Sequence, residues 1–167
     1  MHLDCRDLVE VELNDNLQTI RQFAFHHCSS LQRIKIPPKV IAIDNDAFLL
    51  CRSLTEIDLN EGLETIGESV FMDCTSLFSI KIPSRVTKIN PQTFCGCTLI
   101  NVEVSEALLG IGWGAFMNCT SLYEIKIPPR ITSIRDCTFT GCTSLKEAVL
   151  TTACRRVTAR HSASVVC

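Results

Sequence analysis

No stretch of this chain approaches the roughly 18 continuous apolar residues of a membrane span, although 46% of its 167 residues are hydrophobic. Charge of one sign is also missing. A formal net charge of −2 and a pI near 6.1 give no reason to expect a nucleic-acid or membrane-surface partner. The opening Met-His-Leu-Asp-Cys has no basic region followed by an apolar run, so no signal peptide is expected in the chain as given. Gly110-Ile-Gly-Trp-Gly114 lacks the spacing, lysine and strand–helix context of a phosphate loop, and reads as a tight turn. No CxxC pair marks a metal site. Catalytic, metal and cofactor sites are therefore not expected.

What the chain has is cysteine, eleven in all. Seven stand at near-constant intervals: Cys5, Cys28, Cys51, Cys74, Cys97, Cys119 and Cys142, with steps of 23, 23, 23, 23, 22 and 23. Leu8, Leu31, Leu54, Leu77, Leu99, Leu122 and Leu145 run beside them, as do Phe25, Phe48, Phe71, Phe94, Phe116 and Phe139. A fixed period of this length marks a solenoid, whose units bury their apolar faces only against their neighbours. Cysteines at one register point into one interior layer with parallel side-chain vectors, which suits disulfide geometry poorly. They are expected to be reduced core residues. A Cys–His nucleophile pair is the only catalytic candidate, since His26 and His27 precede Cys28. Adjacency in sequence does not make a dyad, and Cys28 belongs to the ladder.

One unit runs from Leu54 to Ser76, with apolar residues at +3 (Ile57), +5 (Leu59), +9 (Leu63), +12 (Ile66) and +17 (Phe71) counted from Leu54. The +3/+5 alternation predicts a half-buried strand. The +9/+12 pair predicts a second extended or turning segment on the opposite side. Val70 to Cys74 has helical spacing over a turn or two. Pro37, Pro83 and Pro128 end the first strand in three units, because proline cannot donate to a sheet ladder.

The segments Cys74-Thr-Ser-Leu77-Phe-Ser-Ile80-Lys-Ile82-Pro83 and Cys119-Thr-Ser-Leu122-Tyr-Glu-Ile125-Lys-Ile127-Pro128 carry a motif that resembles the BspA-like, or treponemal-type, leucine-rich repeats. The resemblance covers about residues 3 to 150. It implies a leucine-rich-repeat solenoid: stacked parallel β coils, with short strands on one face and short extended or helical turns on the other. It also implies protein binding, in adhesion or recognition, as in the bacterial surface proteins and protist proteins of that family. Residues 1–150 are expected to form the solenoid, with about six full coils plus partial ends. Residues 151–167 are expected to form a degenerate last coil or a flexible tail, with Cys154 and Cys167 the most accessible thiols. Neither end shows a cap, which suggests further repeats or end-to-end self-association. Reduced cysteines favour an intracellular setting if the chain is complete.

A second period overlies the first. The +4 residues Glu12, Lys35, Asp58, Lys81, Glu103 and Lys126 alternate in sign, so the true unit is a pair of coils. Opposite charges side by side on a sheet are mildly favourable, by roughly 0.2–1 kcal/mol. The alternation reads as a structural device, or as a surface matched to a charged partner. The missing residue between Cys97 and Leu99 should tighten one turn without breaking the stack.

Two departures from the repeat are candidate partner-binding positions. Trp113, the single tryptophan, occupies a register filled elsewhere by Gln22, Asn45, Glu68, Pro91 and Asp136, which places it outward. It is an anchor for a partner or a cover for the shortened neighbouring coil. Phe78, Ile100 and Tyr123 follow in three successive coils at +1. Alternation alone leaves open whether they face out as an apolar stripe or in as extra core. The sequence supports a non-catalytic module that binds an unidentified protein. The alternatives are an architectural segment of a longer repeat protein, or a fragment of an enzyme of unknown class.

Overall fold

The structure, a computed structural model, describes the backbone of residues 5–150 and the side chains of residues 5–146. The expectations for residues 151–167, including Cys154 and Cys167, lie outside the described residues. Among these residues the chain forms short parallel strands and turns, and no helix. The strands are β1 (Thr19–Ile20), β2 (Arg33–Lys35), β3 (Ala42–Ile43), β4 (Glu56–Asp58), β5 (Thr65–Ile66), β6 (Ser79–Lys81), β7 (Lys88–Ile89), β8 (Asn101–Glu103), β9 (Gly110–Ile111), β10 (Glu124–Ile127) and β11 (Glu147–Leu150). Even-numbered strands and β11 lie on one face, here the front; β1, β3, β5, β7 and β9 lie on a second face, the back. All pairings are parallel and in register with the repeat, for example Ile34↔Ile57 and Ile43↔Ile66.

The front strands join in twos, β2 with β4, β6 with β8 and β10 with β11. The back strands form β1-β3-β5 and β7-β9. From β2 onward the two-coil period of the sequence is thus a period of the front hydrogen-bonding as well; before it an isolated parallel bridge joins Glu10 to Arg33. After the front strands up to β10 comes the same turn, closed by an i→i+3 bond, but with alternating chemistry. In basic coils Val40, Val86 and Ile131 donate to the carbonyls of Pro37, Pro83 and Pro128. In acidic coils the first turn residue is Asn14, Asn60 or Ser105. Its side chain accepts from the N–H two residues on, at 2.8, 2.8 and 3.2 Å. Such side chains stabilise a turn that proline stiffens elsewhere.

The third side of each coil is a turn column around the phenylalanines. Phe25, Phe48, Phe71, Phe94, Phe116 and Phe139 stack face to face at 5.1–5.6 Å between ring centroids. The four in the middle are wholly buried. The helical spacing around them makes no helix, for a specific reason. Two residues before and two after each phenylalanine have left-handed φ: Asp46 and Leu50 around Phe48, Ser69 and Asp73 around Phe71, Gln92 and Gly96 around Phe94. A left-handed residue breaks a right-handed helix. It also aims its N–H along the stack. Ser69, Phe71 and Asp73 donate to the carbonyls of Pro91, Thr93 and Cys95 in the next coil, at 3.1, 2.9 and 2.8 Å. The same three-bond set joins the coils from Phe23 to Gly96, and two of the three, Phe116 to Thr138 and Asn118 to Thr140, join the last pair. Non-glycine left-handed residues cost of order 1 kcal/mol each, which the bonds to the next coil offset.

From Cys28 to Cys142 the cysteine ladder is buried, Cys5 is half-buried, and no disulfide forms among the described residues. It is more than apolar filling. From Cys51 onward each ladder thiol donates to the phenylalanine carbonyl of the preceding coil: Cys51 to Phe25, Cys74 to Phe48, Cys97 to Phe71, Cys119 to Phe94 and Cys142 to Phe116, at 3.0–3.2 Å. Those carbonyls also accept the N–H of the cysteine in their own coil, so both lone pairs are used. Burial pushes the Cys51 and Cys142 thiols up to about 12, and Cys74, Cys97 and Cys119 well above their ordinary value. The shortened coil keeps its place: Phe94 and Phe116 stack at 5.5 Å and Ile80 pairs with Val102.

The charge alternation is only partly a side-by-side ladder. Lys35 lies 4.0 Å from Asp58 and Arg33 3.9 Å from Glu56. The shorter contacts run diagonally to the preceding acidic coil: Lys81 to Glu61 at 2.7 Å, Arg85 to Glu64 at 3.0 Å and Lys126 to Glu106 at 3.7 Å. Glu61 holds the Lys81 ammonium above its ordinary pKa, and Lys81 holds the Glu61 carboxyl below its own. The Lys81 and Arg85 bridges span the gap between β4 and β6, where the front ladder is interrupted.

Candidate functional site

The two sides of the Cys–His pair differ in burial. Cys28 is buried in the ladder, while His26 and His27 are half-buried in the turn. Their rings lie 6.0 Å apart, and His26 meets the edge of Phe23. Among the described residues no cluster of three His, Cys, Asp or Glu side chains could hold a metal. No helix among them is long and apolar enough to cross a membrane.

The side of the +1 register is resolved by one backbone detail. The N–H groups of Ile100 and Asn101 both point at the carbonyl of Phe78, at 2.8 and 3.4 Å. Thr55 and Glu56 converge in the same way on Gln32. The chain turns at +1 instead of running extended, so strict alternation starts only at +2. Side chains at +1 therefore lie outside. Phe78, Ile100 and Tyr123 are 51%, 56% and 48% exposed. Pairing of Ser79 with Asn101 sets Phe78 beside Ile100, and Tyr123 continues the row before β10. Lys146, at +1 of the next coil, places its ammonium 4.9 Å from the Tyr123 ring centroid, within cation–π range. Exposed charges flank the row on the front strands, including Lys81, Glu103 and Lys126. At its lower end Phe78 borders a groove of about 460 Å³ over the β4–β6 gap, which Arg33, Glu56 and Lys81 also line.

Trp113 is outward, 43% exposed, but it does not join this row. It stands after the back strand β9, in a separate groove of about 390 Å³. Leu109, 56% exposed, is its apolar neighbour in the lining. Lys88 and Arg135 supply the charge there, and Pro91 and Thr132 complete the walls. Sequence reading passed over Leu109, as it did Val9 and Ile41, which are also exposed. The signal was present. Leu109 and Ile41 share a register held elsewhere by Gln18, Glu64, Thr87 and Thr132, the same polar-register argument that marked Trp113.

Comparison with known proteins fits this architecture. No curated protein matches the chain. Its fold is similar to that of the leucine-rich-repeat protein of T. pallidum, 34% identical, with a TM-score of 0.67 over 71% of this chain and 56% of that one. A leucine-rich repeat protein of Bacteroides ovatus is 28% identical, with a TM-score of 0.48 over 85% of this chain and 49% of that one. The chain thus spans about half the length of these solved structures. Residues 2–108 and 65–161 match the BspA type leucine rich repeat region, in six copies. With a 23-residue period, stacked parallel strands and that match across most of its length, the chain belongs to the BspA-type leucine-rich repeat family.

Proposed function

We propose that this chain is a non-catalytic protein-interaction module, serving adhesion or recognition, whose main contact is the row Phe78, Ile100 and Tyr123. The observation that carries this reading is the row itself. Three large apolar side chains stand about half exposed in consecutive coils at one register, with only the Lys146 ammonium over the Tyr123 ring. A contiguous apolar patch rimmed by charge is the usual make-up of a protein contact, and tyrosine is enriched there. A rigid stacked scaffold holds the row without further ordering cost on binding. Trp113 is a candidate contact on a second surface.

The test is capture from candidate partner mixtures with Ile100→Glu and Tyr123→Ala variants. One protein should be recovered repeatedly by the native chain and lost from both variants. Their thermal midpoints should stay close to that of the native chain, since both side chains are outward. Capture unchanged in both variants would remove the row from the site. Capture of nothing at all would favour an architectural segment.

A further inference from the structure

The back groove beside Trp113 lies where a ladder stops. In earlier coils the back strands approach closely. Glu64 donates to Ile41 and Gly67 to Ile43, at 2.9 and 2.8 Å; Leu109 donates to Thr87 and Gly112 to Ile89, at 2.8 Å each. Gly67 and Gly112 permit this. A Cβ on Gly67 would come within 2.6 Å of Asn45 N, and one on Gly112 within 2.7 Å of the Asn90 carbonyl carbon. At the same register the next coils carry Asn90 and Arg135, and at both the ladder is interrupted. (Asp44 closes the first back pair without a glycine.) After β5 the Asn90 side chain fills the gap, donating to the Ile66 carbonyl at 2.6 Å. After β9 no side chain among the described residues takes that role. Among the described residues the carbonyls of Leu109 and Ile111, equivalent to those of Thr87 and Ile89, accept no backbone N–H.

The groove over that interruption, between β9 and the following coil, is lined by two cations, Lys88 and Arg135, and by no acid, in a chain with net charge −2. Asp136 follows Arg135 but stands outside the lining. Trp113 and Leu109 supply exposed apolar surface at its rim. We infer that this groove binds an extended acidic segment of a partner protein. Its carboxylates would meet Lys88 and Arg135, and an apolar residue would rest on Trp113 and Leu109. Complementary charge steers and selects such a segment, and an exposed tryptophan is a common anchor in protein contacts. This inference rests on the protein-binding reading, but concerns a surface separate from the Phe78–Tyr123 row.

Trp113 reports on the site directly, because it is the single tryptophan. The experiment titrates the full chain with a tryptophan-free peptide of alternating glutamate and leucine. A peptide of alternating lysine and leucine serves as the control. Fluorescence anisotropy of the labelled peptides provides a second readout. The acidic peptide should blue-shift Trp113 emission saturably and bind less tightly as salt rises; the basic peptide should do neither. The double variant Lys88→Glu, Arg135→Glu should weaken the acidic peptide by at least about tenfold. Both substituted side chains are exposed, so the fold should survive, which circular dichroism would verify. Ile100→Glu should leave peptide binding unchanged, which separates this site from the row. No emission change, equal response to both peptides, or equal affinity in the charge-reversed variant would overturn the inference. The capture experiment on the row would be untouched by that outcome.

Discussion

On the turn side, neighbouring coils are joined by backbone bonds all along the stack, from Phe25 N to Ala47 O through to Phe116 N to Thr138 O. On the strand side the joins come and go: β4 and β6 are neighbours in different sheets, as are β5 and β7. The same coils are therefore continuous on one flank and segmented on the other. The column of phenylalanine rings, left-handed turns and thiol donors is the spine of the molecule. The strand faces are free to vary, and that is where the exposed apolar rows and both grooves are found. Segmentation and binding surface coincide because an interrupted ladder leaves both space and unused backbone polar groups.

The comparison breaks most severely at high pH. Buried thiols whose pKa is raised on folding stabilise the fold fully below the ordinary value of 9.0. Above it the unfolded chain ionises while the folded one does not. Each such thiol removes about 1.4 kcal/mol per pH unit until its folded pKa is reached. Cys51 and Cys142 act in this way between about 9 and 12, and Cys74, Cys97 and Cys119 act alongside them. Urea titrations from pH 8 to 11 should show a steep loss of stability. A flat profile across that range would mean that the column thiols are not buried.

Next in size is Phe71→Ala, which removes a ring packed between Phe48 and Phe94 and should cost about 3–5 kcal/mol. Ile57→Ala, at the half-buried front position beside the β4–β6 gap, should cost clearly less, about 1–2 kcal/mol. Equal urea midpoints for the two variants would erase the distinction between spine and segmented face. Gly112→Ala should cost about 1–3 kcal/mol, by forcing β9 away from the Asn90–Pro91 backbone. Gly110→Ala, whose new methyl would meet only Lys88 Cγ at 3.8 Å, is its control and should be near neutral.

The smallest effect is expected at the diagonal bridge. Lys81→Glu should lower the thermal midpoint slightly at low salt, and the loss should fade at high salt, because both partners are exposed. Adding Glu61→Lys should restore the midpoint. If Asp58→Lys restored it better, the side-by-side contact would matter more than the diagonal one.

Much of the spine was legible in the sequence. Phe, Cys and Leu at constant intervals name the buried registers, because a column position tolerates few alternatives. The left-handed turns were not legible. Glycine marks them at Gly96, Gly114 and Gly141, but Leu50, Phe23 and Gln92 hold the same conformation with side chains that do not favour it. There the stack dictates the backbone against local preference, and the spacing of Val70, Phe71 and Cys74 looks helical without being so. The thiol bonds were missed because cysteine reads as an apolar residue until the facing carbonyl is known. Of the candidate contacts, Trp113 was placed outward by its polar register. The +1 row could not be placed, since its direction depends on two N–H groups sharing one carbonyl. Alternation of charge suggested lateral pairs; the diagonal reach of Lys81 depends on the offset between coils, which composition does not record.

The alternation of proline turns with asparagine or serine turns bears on how such an array can lengthen. Suppose a gene gained a single coil. Pro83 would then face another proline turn, or Asn60 another asparagine turn, and Lys81 would stand beside a second lysine instead of an acid. A gain of two coils, about 46 residues, keeps both turn chemistry and charge in phase. Duplication and loss in this lineage should therefore respect parity, with array lengths changing by even numbers of coils.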